Sequence, residues 1–385
     1  MIVGLKERFG ELVTLAKNDP FFGMPEFIKA QGYNFLRQNH FIIFSDPHDG
    51  MAGEVCHVLG DHSVLGVCAN VLPPGCEGRE LLTATDLYKL ASKFDNLIGV
   101  MATDDPSFDL GLQQIALAAK IRTIPHHLIL RLANATTDLR NADWLPVIKE
   151  RADEYFALID SLDDEFSKAT TVSVLLSQMT GDHGYRRGVE RPYHTLYFNT
   201  GLFRLSDKEV FVDCGASVGE SISNLLRETN MKLEHSFEIE PDRFNVLKLE
   251  KLRMRLARFG LLNRIEVVPC AVGDCEDVVP FNHVGGHSGS VSASATDTVR
   301  MTTIDKVTEQ FATFIKMDLE GYERFALAGA RETIARCRPK LAISAYHRPD
   351  DLIEITKFVR SIRPDYKVGV QHHTFHRWDT CLYFY

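Results

Sequence analysis

Eight cysteines are scattered through the 385 residues without a single Cys-x-x-Cys pair. Cys56, Cys68, Cys76, Cys214, Cys270, Cys275, Cys337 and Cys381 fall mostly inside apolar stretches, so they read as reduced core residues and not as a disulfide frame or a zinc site. Positive charge is also scarce: 43 Lys and Arg stand against 52 Asp and Glu, a formal net charge of -9. Phosphate backbones are met by clustered cations, so nucleic acid is not an expected partner. The most notable basic cluster carries Lys248, Lys251, Arg255 and Arg258 at helical spacing among Leu247, Leu249, Leu252 and Leu256, and reads as the solvated face of a helix. No long apolar run opens the chain. Met1 to Ala16 has the period of an amphipathic helix broken by Lys6, Glu7, Arg8 and Glu11, which suits neither a signal peptide nor a membrane span. A cytoplasmic location is expected, and nothing speaks against a homo-oligomer. Internal repeats, low-complexity segments and a Gly-x-Gly-x-x-Gly fingerprint are all missing.

What is present is the composition of an ordinary globular chain, 45% hydrophobic and 25% charged, long enough for two cores. His40 to Ser45, Ser63 to Asn70 and Asn96 to Thr103 read as strands separated by helices, which predicts a small Rossmann-like parallel unit over Phe41 to about Leu130. Its first turn, Asp46-Pro47-His48-Asp49-Gly50, places acids where a phosphate would approach, so nucleotide binding is not expected there. Docking, dimerisation or acceptor recognition are the roles left to it. Ala135 to Gly181 is helical in period, and the turn residues Gly181 to Tyr185 and Arg191-Pro192 precede a second α/β unit. The expected division is 1–165 for the N-terminal helices and small unit and 166–385 for the second.

The second unit opens with Val210-Phe211-Val212-Asp213-Cys214-Gly215-Ala216-Ser217-Val218-Gly219-Glu220, an apolar strand that turns through Asp-x-Gly-x-x-x-Gly into a helix. Gly215 and Gly219 permit close backbone approach, and the helix start favours a carboxylate or phosphate. An acid before the first glycine repels a pyrophosphate but suits an ammonium group, so the amino-acid head of S-adenosylmethionine fits this loop better than NAD. Further strands are read at Val210–Cys214, His235–Glu240, Arg264–Ala271, Phe314–Asp318, Lys340–Tyr346, Lys367–His372 and Cys381–Tyr385. Ligands in an open α/β sheet sit beyond the carboxyl ends of the strands. That rule selects Asp213, Glu240, Asp318, His347 and His372 or His373.

Glu240, about 20 residues beyond Gly219, stands where a carboxylate meets ribose hydroxyls, with Pro241 turning the chain away; the competing role is a cap on the helix starting near Asp242. Ala271, Val272, Gly273 and Asp274 offer small residues and backbone to an adenine, though Gly273-Asp274 serves a tight turn equally well. Asp318, Glu320 and Glu323 lie in one strand-end turn. Asp318 and Glu320 are the functional candidates, and Glu323 reads as a helix cap. His347 is the candidate proton acceptor for methyl transfer to an alcohol, against the alternative of a hydrogen-bonded loop histidine. His372, His373 and His376 read as exposed residues of a hairpin turn. Asp318, Glu320, His347 and a hairpin histidine are also suitable donors for Mg, Mn or Fe, but no His-x-His pair is present and metal is not the favoured reading.

Together these segments resemble the FkbM family of S-adenosylmethionine-dependent methyltransferases. The resemblance runs from about Tyr197 to the C-terminus through Tyr197-Phe198, the Val210 to Ala216 strand and loop, Glu240-Pro241-Asp242, Ala271 to Asp274, Ile315 to Glu323, Tyr346 to Asp351 and Asp379 to Tyr383. It implies a class I methyltransferase sheet of seven strands with an antiparallel C-terminal hairpin. It further implies methylation of hydroxyls, often on sugars or polyketides, with Asp213, Gly215 and Gly219 at the methionine part and Glu240 at the ribose. Ser217-Val218 departs from the aromatic or Tyr/Phe-Asp pair usual between the glycines. Ala216, Ser217, Pro241, Ala271, Val272, Asp274 and Asp318 complete the expected cofactor contacts. The expected acceptor is a small-molecule or glycan hydroxyl. An NAD-dependent oxidoreductase and a non-catalytic adenosyl-ligand scaffold are the alternatives.

Overall fold

The computed structural model describes every residue except Met1, 46–50, 61–63, 104–105, 134–142, 284, 286–289, 292–294 and 375–376. The Asp46 to Gly50 turn and His376 therefore lie outside the described residues.

Two sheets built mainly of parallel strands organise the chain. The smaller has four strands, β1 (His40–Ser45), β2 (Val64–Cys68), β3 (Leu97–Ala102) and β4 (Arg122–Pro125), in the order β2-β1-β3-β4 and all parallel. Phe41, Ile42, Ile43 and Phe44 are all fully buried, the continuous apolar run that a parallel strand covered on both faces requires. Strand β4 was not expected, because four residues ending in Pro125 carry too little periodicity to read as a strand.

The larger sheet has eight strands. They are β5 (Glu190–Arg191), β6 (Val210–Cys214), β7 (His235–Ile239), β8 (Ile265–Val268) and, beyond a separate sheet described below, β13 (Phe314–Met317), β14 (Lys340–Ser344), β15 (Val368–His373) and β16 (Thr380–Phe384). Their order is β5-β15-β16-β14-β13-β6-β7-β8, with β16 antiparallel to both its neighbours. The seven-strand expectation is corrected by β5, which pairs in parallel with the end of β15 and is only two residues long. Between β8 and β13 the chain forms a third sheet from β9 (Ala271–Val272), β10 (Asp277–Asn282), β11 (Ser290–Val291) and β12 (Thr298–Thr302).

Packing joins distant parts of the chain. Phe9, Leu12, Val13 and Ala16 of the first helix share one core with Leu175, Leu176 and Met179 of the helix Glu165–Thr180 and with Ile315, Leu341 and Leu382 of the large sheet. Each fully buried leucine there contributes roughly 1.5–3 kcal/mol. Tyr155 of the helix Ala152–Ser161 lies in the same core, so residue 165 divides helices that pack together. The amphipathic start of the chain thus finds its partner in the large unit.

The two sheets place their strand ends differently. In the large sheet β6 lies between β13 and β7, with Lys316 opposite Asp213 and Asp213 opposite Glu238. The carboxyl ends of β6, β7, β13 and β14 therefore collect in one place, where the chain direction across the sheet reverses.

Candidate functional site

After β6 the chain makes a turn that only glycine accommodates at its two ends. Gly215 has φ +81°, and a Cβ there would lie 2.1 Å from the carbonyl oxygen of Asp318. Gly219 has φ +88°, and a Cβ would lie 2.4 Å from Leu252 Cδ2; the helix Glu220–Glu228 starts directly after it. Ser217, with φ 48°, donates its N–H to Glu240 Oε2 at 2.7 Å, and Asp242 donates its N–H to Glu240 Oε1 at 2.8 Å. Asp242, not Glu240, caps the following helix, accepting from the N–H groups of Phe244 and Asn245. Glu240 thus clasps the glycine loop to the end of β7, and burial pushes its carboxyl up to about 7.

Beneath the loop lies a row of buried charge. Lys316 Nζ stands 2.9 Å from Asp213 Oδ1 and donates to the Gly215 carbonyl at 2.8 Å. Burial raises the Asp213 carboxyl, and Lys316 works against that rise. Burial also pushes Glu238 well up, with Asp213 adding to the effect. For Lys316, burial disfavours the charge, but Asp213 and Asp318 outweigh it and raise the ammonium. Asp213 is fully buried below the loop with Lys316 as its partner, and it supports Gly215 through that lysine. Lys316 was not among the expected site residues, although a lone lysine in Phe-Ile-Lys-Met is itself a signal that a buried partner exists.

The end of β13 and the end of β14 bring Asp318, Glu320, Glu323 and His347 together. Asp318 Oδ2 accepts from the Tyr197 hydroxyl at 3.0 Å and Oδ1 from the Tyr346 hydroxyl at 3.2 Å. His347 is buried, with Nδ1 2.9 Å from Glu323 Oε1 and Nε2 3.6 Å from Asp318 Oδ1 and 3.8 Å from Glu320 Oε2. Glu323 was expected to cap a helix. Instead its Oε1 accepts from the N–H groups of Leu319 at 2.7 Å and Gly321 at 3.4 Å, which folds the turn back so that the carboxylate reaches His347.

These surroundings bear on one expected role. Burial disfavours the His347 imidazolium, but Glu323, Asp318 and Glu320 outweigh it and push the ring up to about 10. These carboxylates favour the protonated ring, which works against the role of proton acceptor expected of His347. Burial alone would raise Asp318; Lys316, His347 and the Tyr197 hydroxyl outweigh it and hold the carboxyl below its usual range. Asp379 is pushed up to about 7 by burial and by Asp318.

A cleft adjoins these groups, lined by Tyr197, Gly215, Ala216, Ser217, Lys316 and Asp318 among others. On the other side of Gly219, Lys248, Lys251 and Arg255 line a larger groove with Ser223 and Asn224, so the expected solvated helix face borders the loop. Pro241 is partly buried between Glu240 and Asp242. Ala271 and Val272 are buried in β9, paired with Met301 and Thr302, while Asp274 is exposed in the bend that follows. His372 and His373, expected to be exposed, are fully buried because they end β15 inside the sheet. His372 Nδ1 lies 2.9 Å from Thr380 Oγ1, and His373 Nε2 lies 3.2 Å from the Tyr383 hydroxyl. Burial lowers His373 to about 4.

The methyltransferase FkbM domain model matches residues 213–377, the interval that contains all these strand ends. The crystal structure of methyltransferase FkbM from Methylobacillus flagellatus KT is 32% identical to this chain, covers 100% of both chains and superposes with a TM-score of 0.83. This chain belongs to the FkbM methyltransferase family. The family's α/β methyltransferase fold accounts for the parallel order of the large sheet and its antiparallel β16. More distant structural matches include a SAM-dependent methyltransferase from Aquifex aeolicus (15% identity, 53% of this chain and 97% of that one, TM-score 0.28). Another is the O-methyltransferase NcsB1 from neocarzinostatin biosynthesis in complex with S-adenosylmethionine (12% identity, 71% and 87%, TM-score 0.24). No curated protein matches the chain.

Proposed function

We propose that this FkbM-family methyltransferase moves a methyl group from S-adenosylmethionine to a hydroxyl of a sugar, glycan or related small metabolite. The observation that carries the reading is the meeting of the Asp318, Glu320 and His347 side chains with a glycine loop whose Gly215 packs directly on the Asp318 backbone. The residues present fit the cofactor: Gly215 and Gly219 leave room that a Cβ would fill, and each Glu240 oxygen, engaged by one N–H, keeps a lone pair for a ribose hydroxyl. Gly215, Ala216, Ser217 and Gly219 would hold the methionine part, and Glu240 with Pro241 the ribose. The buried walls of Ala271 and Val272, with Asp274 at their rim, would face the adenine.

Bound there, S-adenosylmethionine supplies a methyl group already activated on a sulfonium. The protein's share is alignment and the removal of one proton from the acceptor hydroxyl. Tyr197 and Tyr346 fix both oxygens of Asp318, and His347 holds positive charge beside it. Asp318 and Glu320, each with a side chain 28% exposed, are the groups able to meet an incoming hydroxyl and take its proton into the cluster. Among the described residues no helix is long and apolar enough to cross a membrane.

Calorimetric titration with S-adenosylhomocysteine tests the reading, with NAD in parallel and Glu240→Gln as the comparison. Micromolar binding of the homocysteine product by the wild type, at least ten-fold weaker in Glu240→Gln, is expected. Binding of NAD with no binding of S-adenosylhomocysteine by the folded chain would overturn it.

A further inference from the structure

We infer that the groove beside the glycine loop seats a diphosphate or similar polyanionic part of the methyl acceptor on Lys248, Lys251 and Arg255. The role of acceptor rests on the methyl-transfer reading; the anion site itself does not. The groove has a volume of about 520 Å³, within the range of sites that enclose a small molecule. Its three cations project from one face of the helix Arg243–Leu256, three and then four residues apart, and all are exposed.

Among the described residues none of these three cations has an ion-pair partner, whereas other cations of the same helix do. Arg243 stands 3.5 Å from Asp297, and Arg253 pairs with Glu250 at 3.1 Å and donates to the Leu262 carbonyl at 3.1 Å. The helix thus satisfies cations outside the groove and leaves those lining it free for a ligand. Glu220 is the one carboxylate among the described lining residues, so three positive charges face one negative in a chain whose net charge is -9. A concave wall dominated by one sign focuses the field and gathers counter-ions.

The extent of the charge selects the anion. From Lys248 to Arg255 the helix rises about 10 Å, and cations spread over that length exceed what one carboxylate can meet. Linked phosphates, each with several acceptor oxygens, match Lys and Arg side chains arranged in this way. The single carboxylate of S-adenosylmethionine does not account for them.

The position of the groove selects the acceptor. Tyr193, Glu220 and Asn224 line both this groove and the cleft that holds Gly215, Lys316 and Asp318, so the two spaces adjoin. Tyr193 is 51% exposed at that junction, where its ring can pack on a sugar face while its hydroxyl stays in water. A sugar carried on the phosphates would reach Asp318 past this ring. Spacing along the helix did not reveal the arrangement, because Tyr193 and Glu220 come from other segments.

The full chain is titrated calorimetrically with sodium pyrophosphate at low salt, both free and saturated with S-adenosylhomocysteine, and S-adenosylhomocysteine binding is measured on its own. One equivalent of pyrophosphate is expected to bind in both states, with affinities within about three-fold of each other. Lys251→Gln is expected to weaken it about five-fold, and Lys251→Gln with Arg255→Gln about ten-fold or more, while Arg253→Gln, which removes a positive charge outside the groove, changes it less than about two-fold. Lys251 and Arg255 are exposed, so their loss carries little risk to folding. No pyrophosphate binding, an equal loss in Arg253→Gln, or displacement of S-adenosylhomocysteine by pyrophosphate would each overturn the proposal. Pyrophosphate failing with S-adenosylhomocysteine still bound removes the groove site alone. The reverse result keeps the anion site and removes the methyl-transfer reading together with the acceptor role.

Discussion

Each of the two units buries a cation against a carboxylate, and the two pairs do different things. Arg131 meets Asp143 through Nε at 2.7 Å and Nη2 at 2.8 Å, and its Nη1 donates to the Phe22 carbonyl at 3.0 Å. Its hydrogen bonds go to fixed partners of the scaffold, tying the helix His126–Leu132 to the segment after the first helix. Lys316 is as deeply buried, yet it supports the glycine loop through Gly215 and lies close enough to Asp318 to influence its charge. The same physical device is structural in one place and part of a site in the other. The difference is set by which strand ends lie beside it: β13 ends in Asp318 and adjoins β6 and its glycine loop, whereas Arg131 sits on a helix.

Removing the cation from each pair gives the largest expected effects. Lys316→Met leaves Asp213 buried and unpaired, which costs about 3–5 kcal/mol, and Arg131→Met costs a similar amount through Asp143. Urea unfolding is expected to report both losses. Calorimetry should separate them: S-adenosylhomocysteine binding drops at least ten-fold in Lys316→Met and stays within two-fold in Arg131→Met. Equal binding losses in the two variants would erase the contrast.

Glycine gives a second pair. Gly215→Ala forces a Cβ to 2.1 Å from the Asp318 carbonyl oxygen at φ +81°, and Gly53→Ala in the small unit forces one to 2.5 Å from the Pro74 carbonyl oxygen. Both are expected to destabilise by about 2–4 kcal/mol. Only Gly215→Ala should also abolish binding of S-adenosylhomocysteine, so that thermal melting moves in both and calorimetry in one.

The smallest effect is a pH slope. Glu240 is raised from its ordinary 4.5 to about 7 by burial, so the folded state prefers the protonated carboxyl. Its contribution is fully present below about pH 4.5 and is lost as pH rises through about 7, on the order of 3 kcal/mol by linkage. Because His373, lowered to about 4, contributes with the opposite sign between about 4 and 6.5, the slope is read as the difference between wild type and Glu240→Gln. Stability of the wild type relative to Glu240→Gln should fall across that window; a flat difference would show that Glu240 titrates alike in the folded and unfolded chain.

Much of the large unit was legible in the sequence because its strands are apolar runs that end in acids. Val210 to Asp213 and Phe314 to Asp318 announce both a buried parallel strand and a candidate site at its end. Strands β4 and β5 were not legible, since four and two residues carry no usable period, and the β9–β12 sheet is built from short pieces separated by turns. The structure brings Asp318, Glu320 and His347 to one place, as the sequence reading grouped them, while the surroundings of Glu323 and of the hairpin histidines differ from that reading. Spacing shows that Glu323 follows Glu320 but not that the intervening turn folds its carboxylate back onto His347. Nor does a His-His pair reveal whether it sits in a turn or, as here, in the last residues of a buried strand. Lys316 was the most readable omission: its position among Phe314, Ile315 and Met317 implies burial, and buried ammonium implies Asp213 or its like.

Amide hydrogen exchange with and without S-adenosylhomocysteine tests most directly the claim that the carboxyl ends of the large sheet, and not the small sheet, hold the cofactor. Added protection is predicted in residues 215–221, at the loop after β7 and around Asp318, with β1 and β3 unchanged. Protection centred on β1 to β4, with the Gly215 to Gly219 loop exchanging as before, would contradict it.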